Sequence, residues 1–144
     1  MQSISKNLSC LKKRSFKFKK STARNPEDAE LIKFFQYIAW SKLQDPRLEA
    51  VYHVANERRC SPHAGKILKN KGVKAGVADI TAMIPSYPYA GLFIELKYGK
   101  NTLSEAQIAF GKLMKLHGYQ FKVCYSADEA INELNNDLKA DKLK

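Results

Sequence analysis

Asp79 stands ahead of an apolar run, Gly91-Leu-Phe-Ile-Glu-Leu-Lys97, and the pairing of that acid with Glu95 and Lys97 constrains the chain more than any other feature. The run reads as a strand. Strand residues alternate faces, so Glu95 and Lys97 point the same way, while Leu96 turns into the core and leaves its backbone carbonyl beside the carboxylate. Asp79 and Glu95 then fall at the ends of two strands, a pattern suited to two-metal phosphodiester chemistry. Mg²⁺ takes one or two carboxylates, keeps several waters and accepts substrate oxygens. Such a cation neutralises charge building on phosphorus and lowers the pKa of a bound water, which a nearby lysine can orient. Asp79 and Glu95 are the candidate ligands and Lys97 the candidate lysine.

Each piece has a plain reading as well. An Asp after the Gly72-Val-Lys-Ala-Gly-Val77 turn, or a Glu-x-Lys pair on an edge strand, is commonly solvated and does no chemistry. The rest of the chain raises the functional reading. His53-Val-Ala-Asn-Glu57, Leu68 to Ile80, Gly91 to Lys97, Leu103-Ser-Glu-Ala-Gln107 and Gly118-Tyr119 follow in an order and spacing that resembles the VRR-NUC domain, a branch of the PD-(D/E)xK nuclease superfamily. The resemblance covers roughly residues 25 to 138. Ala55 and Ala78 stand where that family usually has Pro, and neither change removes a ligand.

The resemblance implies a restriction-endonuclease-like α/β core, a mixed sheet flanked by helices, with Mg²⁺ or Mn²⁺ held by Asp79, Glu95, the Leu96 carbonyl and an acid on the first helix. Glu27 fits that acid's register, with Glu30 one turn on as the rival. By local physics, Asn25-Pro26-Glu27-Asp28 is also a helix start, with an N-cap, a first-position proline and two acids that suit the helix dipole. Gln107 is ambiguous in the same way. The resemblance makes it a polar group that positions water or phosphate; local physics makes Ser104-Glu-Ala-Gln107 a capping box.

The net charge of +11 is unevenly placed. Residues 1–24 hold 8 of the 25 basic residues and no acid, which leaves 17 against 14 in the remainder. Such a block reads as a flexible basic tail that binds nucleic acid by counterion release, ahead of a nuclease-like domain over 25–144. Lys12, Lys13, Arg14, Lys17, Lys19 and Lys20 are its candidate contacts, and Phe16 and Phe18 are placed to stack on bases. Lys69 and Lys74 are further phosphate candidates, although a solvated lysine face fits them equally.

The rest of the composition excludes other classes. At 144 residues, 44% hydrophobic and 27% charged, the chain is expected to be one globular domain, with no apolar stretch near the ~18 residues of a membrane span. Three cysteines, Cys10, Cys60 and Cys124, form no Cys-x-x-Cys pair, which argues against a disulfide framework or structural zinc. His53 and His117 read as lone packed or surface residues. With no secretory signal behind the basic start, a cytoplasmic protein is expected.

Periodicity predicts a helix from Pro26 to about Leu43, with Leu31, Phe34, Phe35, Ile38 and Leu43 as its apolar face, and a strand over Ala50–Val54. A short lysine-bearing helix precedes strands over Val77–Met83 and Leu92–Tyr98. A helix from Ser104 to about His117, with Ile108, Phe110, Leu113, Met114 and Leu116 as its apolar positions, a strand over Tyr119–Tyr125 and a last helix from Ala127 to about Leu138 complete the chain. The resemblance implies a structure-specific endonuclease acting on branched DNA, as a homodimer, in replication, recombination or repair. A non-cleaving DNA-binding module and a sequence-specific restriction-like nuclease are the alternatives.

Overall fold

A central strand buried on both faces organises the chain. In the computed structural model, which describes residues 16–20, 23, 25–55 and 61–141, the elements run α1 (Pro26–Ser41), a 3₁₀ turn (Pro46–Ala50), β1 (Val51–His53), α2 (Pro62–Asn70), β2 (Ile80–Ala82), β3 (Leu92–Leu96), α3 (Glu105–Leu116), β4 (Gln120–Cys124) and α4 (Ala127–Asp141). The sheet order is β1-β2-β3-β4, antiparallel at the first two pairings and parallel at the third. Parallel pairing needs a crossover, and α3 supplies it. The fold is the expected mixed-sheet α/β architecture.

All five residues of β3 are buried because helices cover both of its faces. Ile80, Leu92, Ile94 and Leu96 pack with Phe34 and Ile38 of α1 and Ile131 and Leu134 of α4. Phe93 points the other way and packs with Phe110, Met114 and Phe121 beneath α3. Each such side chain contributes about 1.5–3 kcal/mol by leaving water. The alternation that sends Phe93 toward α3 sends Glu95 there too. Gly111 permits the close approach of α3, since a Cβ at that position would lie 2.8 Å from the Phe121 ring.

Four apolar positions expected on packed helix faces are exposed at the ends and outer faces of helices. Leu43 lies beyond α1 and is 82% exposed, and Leu116, on the last turn of α3, is 80% exposed. Ile108 and Leu113 are exposed as well, because the inward stripe of α3 runs through Gln107, Phe110, Gly111 and Met114. Strand β2 is shorter than expected, and Asp79 sits just before it. Among the described residues, no helix is long and apolar enough to cross a membrane.

The segment 16–20 lies along α1. The Phe16 ring is 5.3 Å from Trp40 and 6.1 Å from Tyr37, and Lys19 N donates to Gln36 Oε1 at 2.9 Å. Phe16 is therefore occupied by protein aromatics, and Phe18 packs edge-on against it beneath the Lys33 ammonium. Lys17, Lys19 and Lys20 remain exposed. Lys12, Lys13 and Arg14, like Asn56, Glu57, Cys10 and Cys60, lie outside the described residues.

Candidate active site

A cleft of about 240 Å³ opens where the N-terminus of α1, the end of β3 and the first turn of α3 meet, and Glu27, Asp79, Glu95, Leu96, Lys97 and Gln107 line it. Its wall on the α2 side is the loop through Gly76. That residue has φ +79°, and a Cβ there would lie 2.5 Å from the Ala106 backbone, so only glycine lets the loop sit on α3.

Each acid is tied down through one oxygen. Asp79 Oδ2 accepts the Leu96 N–H at 2.9 Å. Glu95 Oε1 accepts Lys97 Nζ at 2.8 Å and, in a very short bond, Gln107 Nε2. Glu27 Oε1 accepts the Tyr98 N–H at 3.2 Å and Asn101 Nδ2 at 3.1 Å. Glu95 Oε2 is left buried without a partner. A carboxyl oxygen buried without a donor is costly, which points to a ligand that satisfies it.

The electrostatics follow from burial. The Glu95 carboxyl is pushed up to about 7, first by loss of water and then by the facing Asp79 charge, against the pull of the Lys97 hydrogen bond. Burial also raises Asp79, against the Leu96 N–H and the Lys97 charge. Lys97 loses water too, but its hydrogen bond to Glu95 and the three surrounding carboxylates outweigh that and raise it. Lys97 is thus held as a cation.

Gln107 closes the capping box and also reaches the buried acid. Its Oε1 accepts the Ser104 N–H at 2.9 Å while Ser104 Oγ accepts the Gln107 N–H, which completes the capping box. The Ser104 amide can only donate, so the Gln107 carbonyl must face it and the NH₂ must face Glu95. The rival acids also part company. Glu27 lines the cleft, whereas Glu30 Oε2 accepts the Ala127 N–H at 2.6 Å and caps α4. Lys74 adjoins the cleft wall at Ala75 and Gly76, while Lys69 lies exposed on α2.

The donors are all oxygens, and the pair Asp79 and Glu95 is the number of carboxylates that Mg²⁺ takes while keeping its waters. Among the described residues no three His, Cys, Asp or Glu side chains are grouped so as to hold an ion by themselves. The residues present fit a hard divalent cation. A family model described as the VRR-NUC domain matches residues 21–128.

The chain belongs to the VRR-NUC domain family. A solved structure described as a VRR_NUC domain protein is similar at 28% identity with a TM-score of 0.65, over 82% of this chain and 92% of that one. No curated protein matches the sequence. VRR-NUC domains are nucleases of the PD-(D/E)xK type, and such nucleases generally use divalent metals. His53, read from the sequence as a lone packed or surface residue, neighbours the site: its Nδ1 lies 2.7 Å from the Asp79 carbonyl oxygen.

Proposed function

We propose that the chain is a Mg²⁺- or Mn²⁺-dependent endonuclease that hydrolyses DNA phosphodiesters, with Asp79, Glu95 and the Leu96 carbonyl as ligands and Glu27 as the third acid. The observation that carries this reading is Glu95 Oε2, buried and unpartnered beside Asp79 in an open cleft. When bound, the ion would offset charge on the phosphate and make a water more acidic. Lys97, held cationic 2.8 Å from Glu95, orients that water or stabilises the phosphate oxygens. Gln107 keeps Glu95 Oε1 occupied, so that Oε2 alone faces the ion.

The basic residues of 1–24, with Lys69 and Lys74, add phosphate affinity without sequence choice. Branched DNA in replication, recombination or repair inside the cell is the substrate we infer, since phosphate contacts that carry no sequence choice leave the shape of the DNA to select the site. A homodimer would present two sites to two strands.

Labelled four-way junction, flap, splayed-arm, duplex and single-stranded DNA, each with Mg²⁺, Mn²⁺ or EDTA, test this. Cleavage that disappears in EDTA and in Glu95→Ala and Lys97→Ala supports the nuclease, and a junction preference supports the branched substrate. Tight binding without cleavage under either metal would establish a binding module instead.

A further inference from the structure

β1 is an edge strand that supplies no wall or acid to the cleft, yet it holds the peptide that carries Asp79. Asp79 lies just before β2, so the β1–β2 and β2–β3 registers, which begin at Ile80, do not include it. Its carbonyl oxygen receives two donors from β1 and its exit: the Val54 N–H at 2.9 Å and His53 Nδ1 at 2.7 Å. A carbonyl oxygen only accepts, so Nδ1 carries the proton in the ring that makes this bond. Phe35 of α1 meets the ring edge to face at 6.5 Å, which restricts its rotation. On the opposite side, the Leu96 N–H of β3 holds the Asp79 carboxylate. Asp79 is gripped at both ends, by its carbonyl from β1 and by its carboxylate from β3.

We propose that His53 is a positioning residue that sets the Asp79 carboxylate against Glu95 before any ion arrives. The proposal rests on the reading of Asp79 and Glu95 as metal ligands. Partners one shell out from a metal commonly change its affinity by about 10–100-fold. Here the Val54 bond remains when the imidazole is lost, so the lower end of that range applies.

The test is Mn²⁺ binding by titration calorimetry to the metal-free full chain and to His53→Ala, His53→Asn, His53→Gln and Asp79→Ala, with thermal melts of each. The Asn side chain places a donor near the Nδ1 position, and the longer Gln side chain does not. His53→Ala is expected to weaken Mn²⁺ binding about tenfold, with most of the loss restored in His53→Asn and little in His53→Gln. Native-like binding by His53→Ala would overturn the proposal, as would equal binding by the Asn and Gln variants. Should His53→Ala fail to fold, the Asn and Gln comparison carries the test alone. Native-like Mn²⁺ binding by Asp79→Ala would instead remove the metal reading itself, and the proposal with it.

Discussion

Gln107 donates from its side-chain Nε2 to Glu95 Oε1, so the residue that closes the capping box of α3 also holds one oxygen of the buried acid in the wall of the cleft. The cap and the site share one amide, and two substitutions separate them. Ser104→Ala removes the hydroxyl cap and is expected to cost about 1 kcal/mol of stability, with cleavage close to native because the Ser104 N–H still orients Gln107. Gln107→Ala is expected to cost a similar amount and also to slow cleavage by at least about tenfold, as a charge-assisted bond to Glu95 is lost. Melting curves and single-turnover rates read the two effects. Equal slowing in both variants would mean that the cap as a whole, rather than the Glu95 bond, matters.

Glu27 and Glu30 lie one turn apart on α1 and serve different partners. Glu30 accepts the first N–H of α4, so Glu30→Ala is expected to lower stability by about 1 kcal/mol and leave cleavage unchanged. Glu27→Ala is expected to keep the fold, because its tether is half exposed, and to reduce cleavage by on the order of 100-fold if it is the third acid. Parallel melts and cleavage assays decide this, and the reverse pattern would exchange the two assignments.

This pair also marks the boundary of what the chain alone could disclose. The β3 strand, the acid before β2 and the Ser104–Gln107 box each follow from a local pattern, an apolar run, a glycine turn or a capping spacing, and all three are present. The choice of acid on α1 depends instead on where the Tyr98 N–H and Asn101 arrive, 71 and 74 residues further on. His53 was unreadable for the same reason, since its partner is a backbone oxygen 26 residues away, to which periodicity is blind. Leu43 and Leu116 misled because an apolar residue at a helix end counts toward periodicity whether or not a neighbour covers it.

Gly76 combines a left-handed backbone with so close an approach to α3 that an added Cβ would lie 2.5 Å from the Ala106 backbone, so Gly76→Ala strains the turn and pushes the loop off α3 together. A cost of about 2 kcal/mol or more is expected. Cleavage should fall further than stability, because the displaced loop is the wall of the cleft. A control is Gly72→Ala, which has φ +85° but open space, so it should cost the backbone strain alone. Equal losses at both positions would show that contact with α3 contributes nothing.

The acidity of Glu95 gives the site a pH signature that metal should invert. Its carboxyl titrates near 7 in the fold, against an ordinary value of 4.5, first because it is buried and then because Asp79 faces it. A proton held more tightly in the folded state stabilises it fully below the ordinary value and ceases to do so as pH rises through about 7. The metal-free chain should therefore lose stability between pH 5 and 7, by on the order of 1 kcal/mol per pH unit from this group. Glu95→Gln cannot titrate, and it should flatten that part of the profile. Mn²⁺ needs the carboxylates ionised, so its affinity should rise over the same interval by up to about tenfold per pH unit, with protons released on binding. Melts with and without Mn²⁺ at each pH, together with calorimetry in buffers of different ionisation heat, measure both slopes. Parallel slopes in native chain and Glu95→Gln would assign the pH dependence to another group, and Mn²⁺ binding without proton release would mean that Glu95 is already ionised in the empty site.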